Sequence, residues 1–265
     1  MRVLVLGSTG NLGSRVLSAP LARGHSVVAF AREPSKLPPS IMPKLTAIES
    51  GDARKATDIK AAAGKHQCDA IVNTAGLAAM APWGKSDLPA IVDAVICAAL
   101  EIGEERRGPL RVWFLGGLGF LDLPDTKYQL VEYMFCKVLT YETKSGLGVY
   151  PAHNQNWSKL KALPPSSIEW SILCPSIMRP LSKTTYPLAN QASAKNISAT
   201  AKVPPEWSRK FPCTPLVGGY LNILSQVSAY NTSLEDNADF IAQDLLEGKG
   251  SPWIYQKVGV KEKRK

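Results

Sequence analysis

The chain opens on a short continuous apolar run, Arg2–Leu6, bounded by glycines. Such a run marks a strand buried on both faces. Ser26–Ala31, Leu45–Glu49, Ala70–Thr74 and Arg111–Leu115 repeat the pattern. Between these runs the apolar period changes from strand-like to helical. One helix follows the first glycines through Arg23, with Pro20 late in it and Gly24 as its stop. A second is expected over Asp58–Ala63 and a third over Asp87–Glu101, where Ile91, Val95 and Ala98 share a face. Strands alternating with helices at this pitch predict βαβ units and a parallel sheet.

After residue 120 the rhythm loosens. Asn154–Leu163 reads as a helix ended by prolines, and Glu169–Cys174 as a strand stopped by Pro175. Residues 176–232 are rich in Pro, Ser, Thr and Asn and read as an irregular cap. Leu234–Leu246 is amphipathic, and Trp253–Val258 is a candidate last strand.

Charge and cysteine content narrow the classes. The net charge is +9, but the basic residues are scattered. The one tight run, within residues 259–265, reads as a solvated basic tail. This predicts no nucleic-acid partner. The five cysteines are widely spaced with no CxxC pair, which argues against a disulfide framework and a zinc site, so no metal is expected. The opening segment is too short and glycine-rich for a signal peptide. No apolar stretch reaches the roughly 18 residues that span a bilayer. The expectation is a cytoplasmic protein with no membrane partner, acting on a small molecule, its oligomeric state open.

Gly7-Ser8-Thr9-Gly10-Asn11-Leu12-Gly13 joins the first strand to its helix. This is where a dinucleotide-binding fold needs glycines: for a sharp turn, for close approach of backbone to a pyrophosphate, and for helix packing. The helix N-terminus then offers free N–H groups to the phosphates. The predicted class is therefore α/β, a Rossmann-type doubly wound parallel sheet with an irregular C-terminal substrate-binding cap. Residues 1–258 form one NAD(P)-binding domain. Its dinucleotide core is 1–120, and 121–235 is mainly cap with one returning strand near 169–174.

The cofactor choice rests on the end of the second strand. A fold that prefers NAD places an acid there for the ribose hydroxyl. This chain has Arg32, placed for a 2′-phosphate, with Glu33 next to it and Lys36 or Arg15 as helpers. NADP(H) is favoured, with NAD(H) as the minority reading. Asp52, after strand three, is a candidate partner of the adenine amino group; a helix-capping role is its alternative. Thr74, Ala75 and Gly76, after strand four, are placed to line the cofactor channel with small residues.

Taken together, GSTGNLG, AR after strand two, GDA after strand three and NTAG after strand four resemble the short-chain dehydrogenase/reductase superfamily, in its atypical, NmrA-like branch. Later segments (PWGKSDLP at 82–89, WFLGGLG at 113–119, IEWSILCP at 168–175 and ADFI at 238–241) resemble fungal averufin oxidase-like oxidoreductases of aromatic polyketide pathways. Residues from about 136 to 150 stand as an insertion in that pattern. The resemblance implies an NADP(H)-dependent oxidoreductase acting on an anthraquinone- or xanthone-like compound. Its alternatives are a non-catalytic NAD(P) sensor of the NmrA type, or an accessory protein of a partner oxidase.

The resemblance also implies catalytic positions. Tyr133 and Lys137 have the YxxxK spacing, in which the ammonium lowers the phenol pKa for proton transfer. The hydroxyl expected after strand five is missing, because Gly116-Gly117-Leu118-Gly119 stands there; Gly116 is instead a cofactor-contact candidate. His153 sits where atypical relatives aim a histidine at the nicotinamide, and ranks first as proton donor. Backbone from Pro175 is placed to meet the carboxamide. Met178, Tyr186 and Trp207 are candidates to enclose a flat substrate, although core packing is the stronger reading for each.

Overall fold

The computed structural model describes residues 1–76, 86–126, 129–130, 151–164, 166–208, 210–211 and 218–263. Its strands are β1 (Arg2–Leu6), β2 (Ser26–Ala31), β3 (Ala47–Ser50), β4 (Ala70–Asn73), β5 (Leu110–Leu115), β6 (Ile168–Cys174), β7 (Met178–Arg179), β8 (Ile197–Ala201), β9 (Thr232–Ser233) and β10 (Gln256–Glu262). The helices are α1 (Asn11–Ala22), α2 (Ala56–Lys65), α3 (Leu88–Arg106), α4 (Pro151–Lys161), α5 (Gly218–Val227) and α6 (Leu234–Glu247). The main sheet has the order β3-β2-β1-β4-β5-β6-β10-β8; β7 and β9 pair separately.

The continuous apolar strands are explained by layers on both faces. Alternate residues of β1 serve opposite cores. Leu4 and Leu6 join Ile91 and Val95 of α3, and Val3 and Val5 join Val16 of α1 and Ile241 of α6. The strand order reverses between β1 and β4, and both are in register, Leu6 beside Asn73. A crevice therefore opens beyond their carboxyl ends, where open α/β sheets bind ligands.

The α/β architecture is as expected, with changes in its second half. The segment read as an irregular cap contains β8, which joins the main sheet antiparallel to β10, and α5. The last strand does not end at residue 258. Gly259–Glu262 pair with Ile197–Thr200, so the residues expected as a tail begin as sheet. Lys261 is accommodated because its ammonium meets Glu206 at 2.7 Å and lies 5.4 Å from the centre of the Tyr230 ring. α4 starts at Pro151, before the expected Asn154. Pro20 is tolerated inside α1, which runs on to Ala22.

Candidate functional site

A cleft of about 460 Å³ lies at the β1/β4 switch point. Four loops build it, each following a parallel strand: Gly7, Thr9 and Gly10 after β1, Phe30–Glu33 and Lys36 after β2, Gly51–Arg54 after β3, and Thr74–Gly76 after β4. Asp87 and Ile91, at the start of α3, close one side.

The glycines have separate physical reasons. Gly7 has φ +74°, and a Cβ there would lie 2.6 Å from the Ala75 backbone nitrogen. Only glycine satisfies both limits. A Cβ on Gly13 would sit 2.1 Å from the Gly7 carbonyl oxygen, so the helix can rest directly on the loop. Gly10 differs: its φ is −79°, and its missing side chain leaves the cleft open. The Gly10 N–H donates to the Gly7 carbonyl at 2.9 Å, which closes the turn. Ser8 is fully buried and donates to the Phe30 carbonyl at 3.0 Å, tying this loop to β2. Its role was not read from the sequence, since a serine in a glycine loop has no distinguishing pattern.

At the start of α1 no side chain caps the helix and the first turn holds no acid. Its first N–H groups are the unsatisfied donors that every helix leaves at this end. α6 makes the contrast. Ser233 accepts from the Asp236 N–H at 2.8 Å there, and Glu235 and Asp236 supply negative charge. One helix end is closed by its own sequence; the other has neither a side-chain cap nor an acid in its first turn. Leu12, named with this loop, buries its side chain in the core, and neither Asn11 nor Leu12 lines the cleft with its side chain.

Arg32 is exposed on the cleft wall, and no carboxylate lies within ion-pairing distance of it among the described residues. Glu33 is engaged by Lys36, Nζ to Oε1 2.9 Å, which holds its carboxyl below the usual range. Arg15, expected as a helper of Arg32, does not line the cleft: it is buried and pairs with Glu235 at 3.0 Å, so it is not placed to assist Arg32. A charged residue in the first turns of a helix reads alike whichever face it takes.

Asp52 accepts from Arg54 through side-chain and backbone N–H groups, which hold its carboxyl down to about 2. An adenine amino group would share those oxygens with Arg54. Arg54 itself was missed by the sequence reading; it lines the cleft and also reaches Asp87 at 3.5 Å. The Asp58 carboxylate accepts from the Asp52 backbone N–H at 3.0 Å, fixing the loop. Thr74 donates from Oγ1 to the Leu6 carbonyl at 2.6 Å, and the Ala75 N–H donates to Asn73 Oδ1 at 3.1 Å. Gly76 has φ +94° and lies against Leu88.

Gly116 and Pro175 directly follow β5 and β6, on the same edge of the sheet as the cleft but outside its lining. The Gly116 N–H donates to the Leu173 carbonyl at 2.8 Å, and the Pro175 carbonyl accepts from Leu118 at 2.8 Å. A Cβ on Gly116 would lie 2.8 Å from Ile172, so the glycine is set by strand packing. Cys174 is buried, with its thiol pushed up to about 12 by loss of solvent. Tyr133 and Lys137 lie outside the described residues. His153 falls within α4, and its side chain lies outside them too. Met178 and Tyr186 pack against the α1/α6 core, and Trp207 against the other with its ring 6.3 Å from Tyr230. The core reading holds for all three.

Among the described residues no group of His, Cys, Asp and Glu is placed to hold a metal, and no helix is long and apolar enough to cross a membrane. A family model described as NAD(P)H-binding matches residues 7–202. No curated protein matches the chain. Among solved structures, an oxidoreductase from Lactococcus lactis is 16% identical, with TM-score 0.58, covering 100% of this chain and 92% of that one. A protein proposed as an NADH-flavin reductase from Streptococcus pneumoniae is 17% identical, with TM-score 0.60 and coverage of 99% and 100%. A protein proposed as an NAD-dependent epimerase/dehydratase from Bacillus halodurans is 18% identical, with TM-score 0.57 and coverage of 99% and 94%. At these identities the likeness carries the fold.

Proposed function

The chain belongs to the NAD(P)H-binding family, and from that premise we propose that it is an NADP(H)-dependent oxidoreductase of the atypical short-chain dehydrogenase/reductase kind. The observation that carries the reading is the open end of α1. It has a glycine at its N-cap, no acid in its first turn and a cleft in front of it. Those residues fit a pyrophosphate, and Arg32 fits a 2′-phosphate by charge and position. NADP(H), when bound, supplies or takes the hydride. The chain's own part is to bind it, to orient it along the carboxyl ends of β1, β4, β5 and β6, and to handle the proton. We assign that proton to His153, with the Tyr133/Lys137 pair as the competing donor.

We further propose an aromatic polyketide, anthraquinone- or xanthone-like, as substrate. Its support is the resemblance of the segments at 82–89, 113–119, 168–175 and 238–241. The test is NADPH oxidation across a panel of such compounds. The expected result is turnover in the wild type that falls in His153→Ala while cofactor affinity stays unchanged. Tyr133→Phe as the damaging change instead would move the proton to the pair. One observation favours a second reading, a non-catalytic dinucleotide sensor: residues 116–119 bring no hydroxyl to the position after β5. Tight NADPH binding with no oxidation by any member of the panel would select it.

A further inference from the structure

A second cleft, of about 400 Å³, shares no lining residue with the first. It lies beside the start of β10, where Gln256 is in register with Ser171, within β6 rather than beyond its carboxyl end. α4 contributes Trp157 and Lys161, the turn after β8 contributes Lys202, and the entry to β10 contributes Tyr255, Gln256 and Lys257; Asp122 is opposite.

The charges there do not balance. Lys257 is buried to 4% exposure, and its ammonium donates to the Phe120 carbonyl at 2.8 Å and to Asp122 Oδ1 at 2.5 Å. It also lies 4.9 Å from the centre of the Trp157 ring. Asp122 is therefore already engaged. Lys161 and Lys202 are exposed at the cleft, and among the described residues neither has a carboxylate within ion-pairing distance.

The backbone is also unusual. Lys202 has φ +69° and Tyr255 φ +61°, left-handed values that residues with side chains rarely take. Both are held there by main-chain bonds: Lys202 N–H to the Lys257 carbonyl at 2.7 Å, and Tyr255 N–H to the Trp170 carbonyl at 2.7 Å. Trp157 and Tyr255 stand edge-on to Trp170, with ring centres 5.9 and 6.0 Å away.

We infer that this cleft is a second ligand site, for a small oxyanion. Lys161 and Lys202 hold the carboxylate or phosphate. The carbon skeleton lies against Trp157 and Tyr255. The volume is of small-molecule size.

Two probes separate the sources of the anion: 4-hydroxybenzoate and glycerol 3-phosphate. Each is titrated calorimetrically into the full chain with NADPH in excess, so that the first cleft is filled. Saturable binding of either is expected, weakened by about tenfold or more in the double variant Lys161→Gln/Lys202→Gln. Binding of the first alone assigns a carboxylate, and of the second alone a phosphate ester. Both lysines are exposed, and a wild-type thermal transition checks that the variant is folded. No saturable binding of either probe below ~10 mM, or equal affinity in wild type and a folded double variant, overturns the inference. These readouts do not depend on turnover, so they stand apart from the fate of the proposed reaction.

Discussion

Single atoms decide the character of the glycine loop. At Gly7 both the positive φ and the Ala75 backbone forbid a side chain, so a change there tests folding more than binding. Gly10 has ordinary φ, and a Cβ there would meet only the Gly7 carbonyl oxygen, at 3.2 Å, which makes it the cleaner probe. Gly10→Asp would cap α1 with its own carboxylate and so favour the helix, while placing negative charge where phosphates would lie. The expected outcome is an unchanged or higher melting temperature with dinucleotide affinity lower by more than about tenfold. Unchanged calorimetric affinity would sink the assignment of the loop. Arg32 is argued on the same scale. Its guanidinium has no carboxylate partner among the described residues, whereas Glu33 is held by Lys36. A charge-assisted hydrogen bond contributes roughly 1.5–3 kcal/mol, so NADPH should bind about tenfold or more tighter than NADH. Arg32→Ala should remove most of that preference and leave NADH binding nearly intact. Equal affinities in the wild type, read by nicotinamide fluorescence, would show that another group contacts the ribose.

At the scale of elements, α6 is fastened to the sheet and to α1 by buried or half-buried ion pairs. Glu235 meets Arg15 and Asp239 meets Arg23, joining α6 to α1. Glu235 also accepts from the Leu181 and Ser182 N–H groups, fixing the segment that follows β7. Further along, Asp244 accepts from Arg111 of β5 at 2.7 Å, from Trp113 Nε1 at 2.9 Å, and from the Ser251 hydroxyl. Arg111 and Asp244 are nearly inaccessible, at 2% and 1%. Burial lowers the Arg111 pKa, and the Asp244 charge opposes that shift. Removing one partner would leave a buried guanidinium uncompensated, which costs about 3–5 kcal/mol. Asp244→Ala should therefore lower the unfolding free energy by about 3–5 kcal/mol, measured by urea denaturation. A loss below about 1 kcal/mol would mean that water replaces the carboxylate.

For the whole molecule the decisive strand is β10. It pairs parallel with β6 and antiparallel with β8, so it joins the edge strand β8 to the rest of the sheet. Val258 and Val260 are fully buried in the α1/α6 core. Deleting residues 259–265 would remove the partners of Ile197–Thr200 and the Val260 side chain, whose burial alone is worth about 1.5–3 kcal/mol. The shortened chain is expected to unfold at a clearly lower temperature, or to lose a cooperative transition in calorimetry. Wild-type stability after the deletion would restore the reading of those residues as a solvated tail.

The sequence alone settled what depends on local rules. A left-handed glycine, a run apolar on both faces and a helical period are properties of neighbouring residues. β1, β2, α1 and the turn between β1 and α1 were therefore legible, and with them four of the loops that build the cleft. What depends on distant partners was not legible. Lys257-Val258-Gly259-Val260-Lys261 looks polar along the chain, yet its lysines are buried because Asp122 and Glu206 come to meet them. Likewise Arg15 could serve the cleft or the core, and only the arrival of α6 with Glu235 sends it to the core. β8 reads as part of a loop because its β-character comes from β10, its partner in the sheet. Charge neutralisation and edge pairing are completed across the fold, so only the tertiary structure decides them.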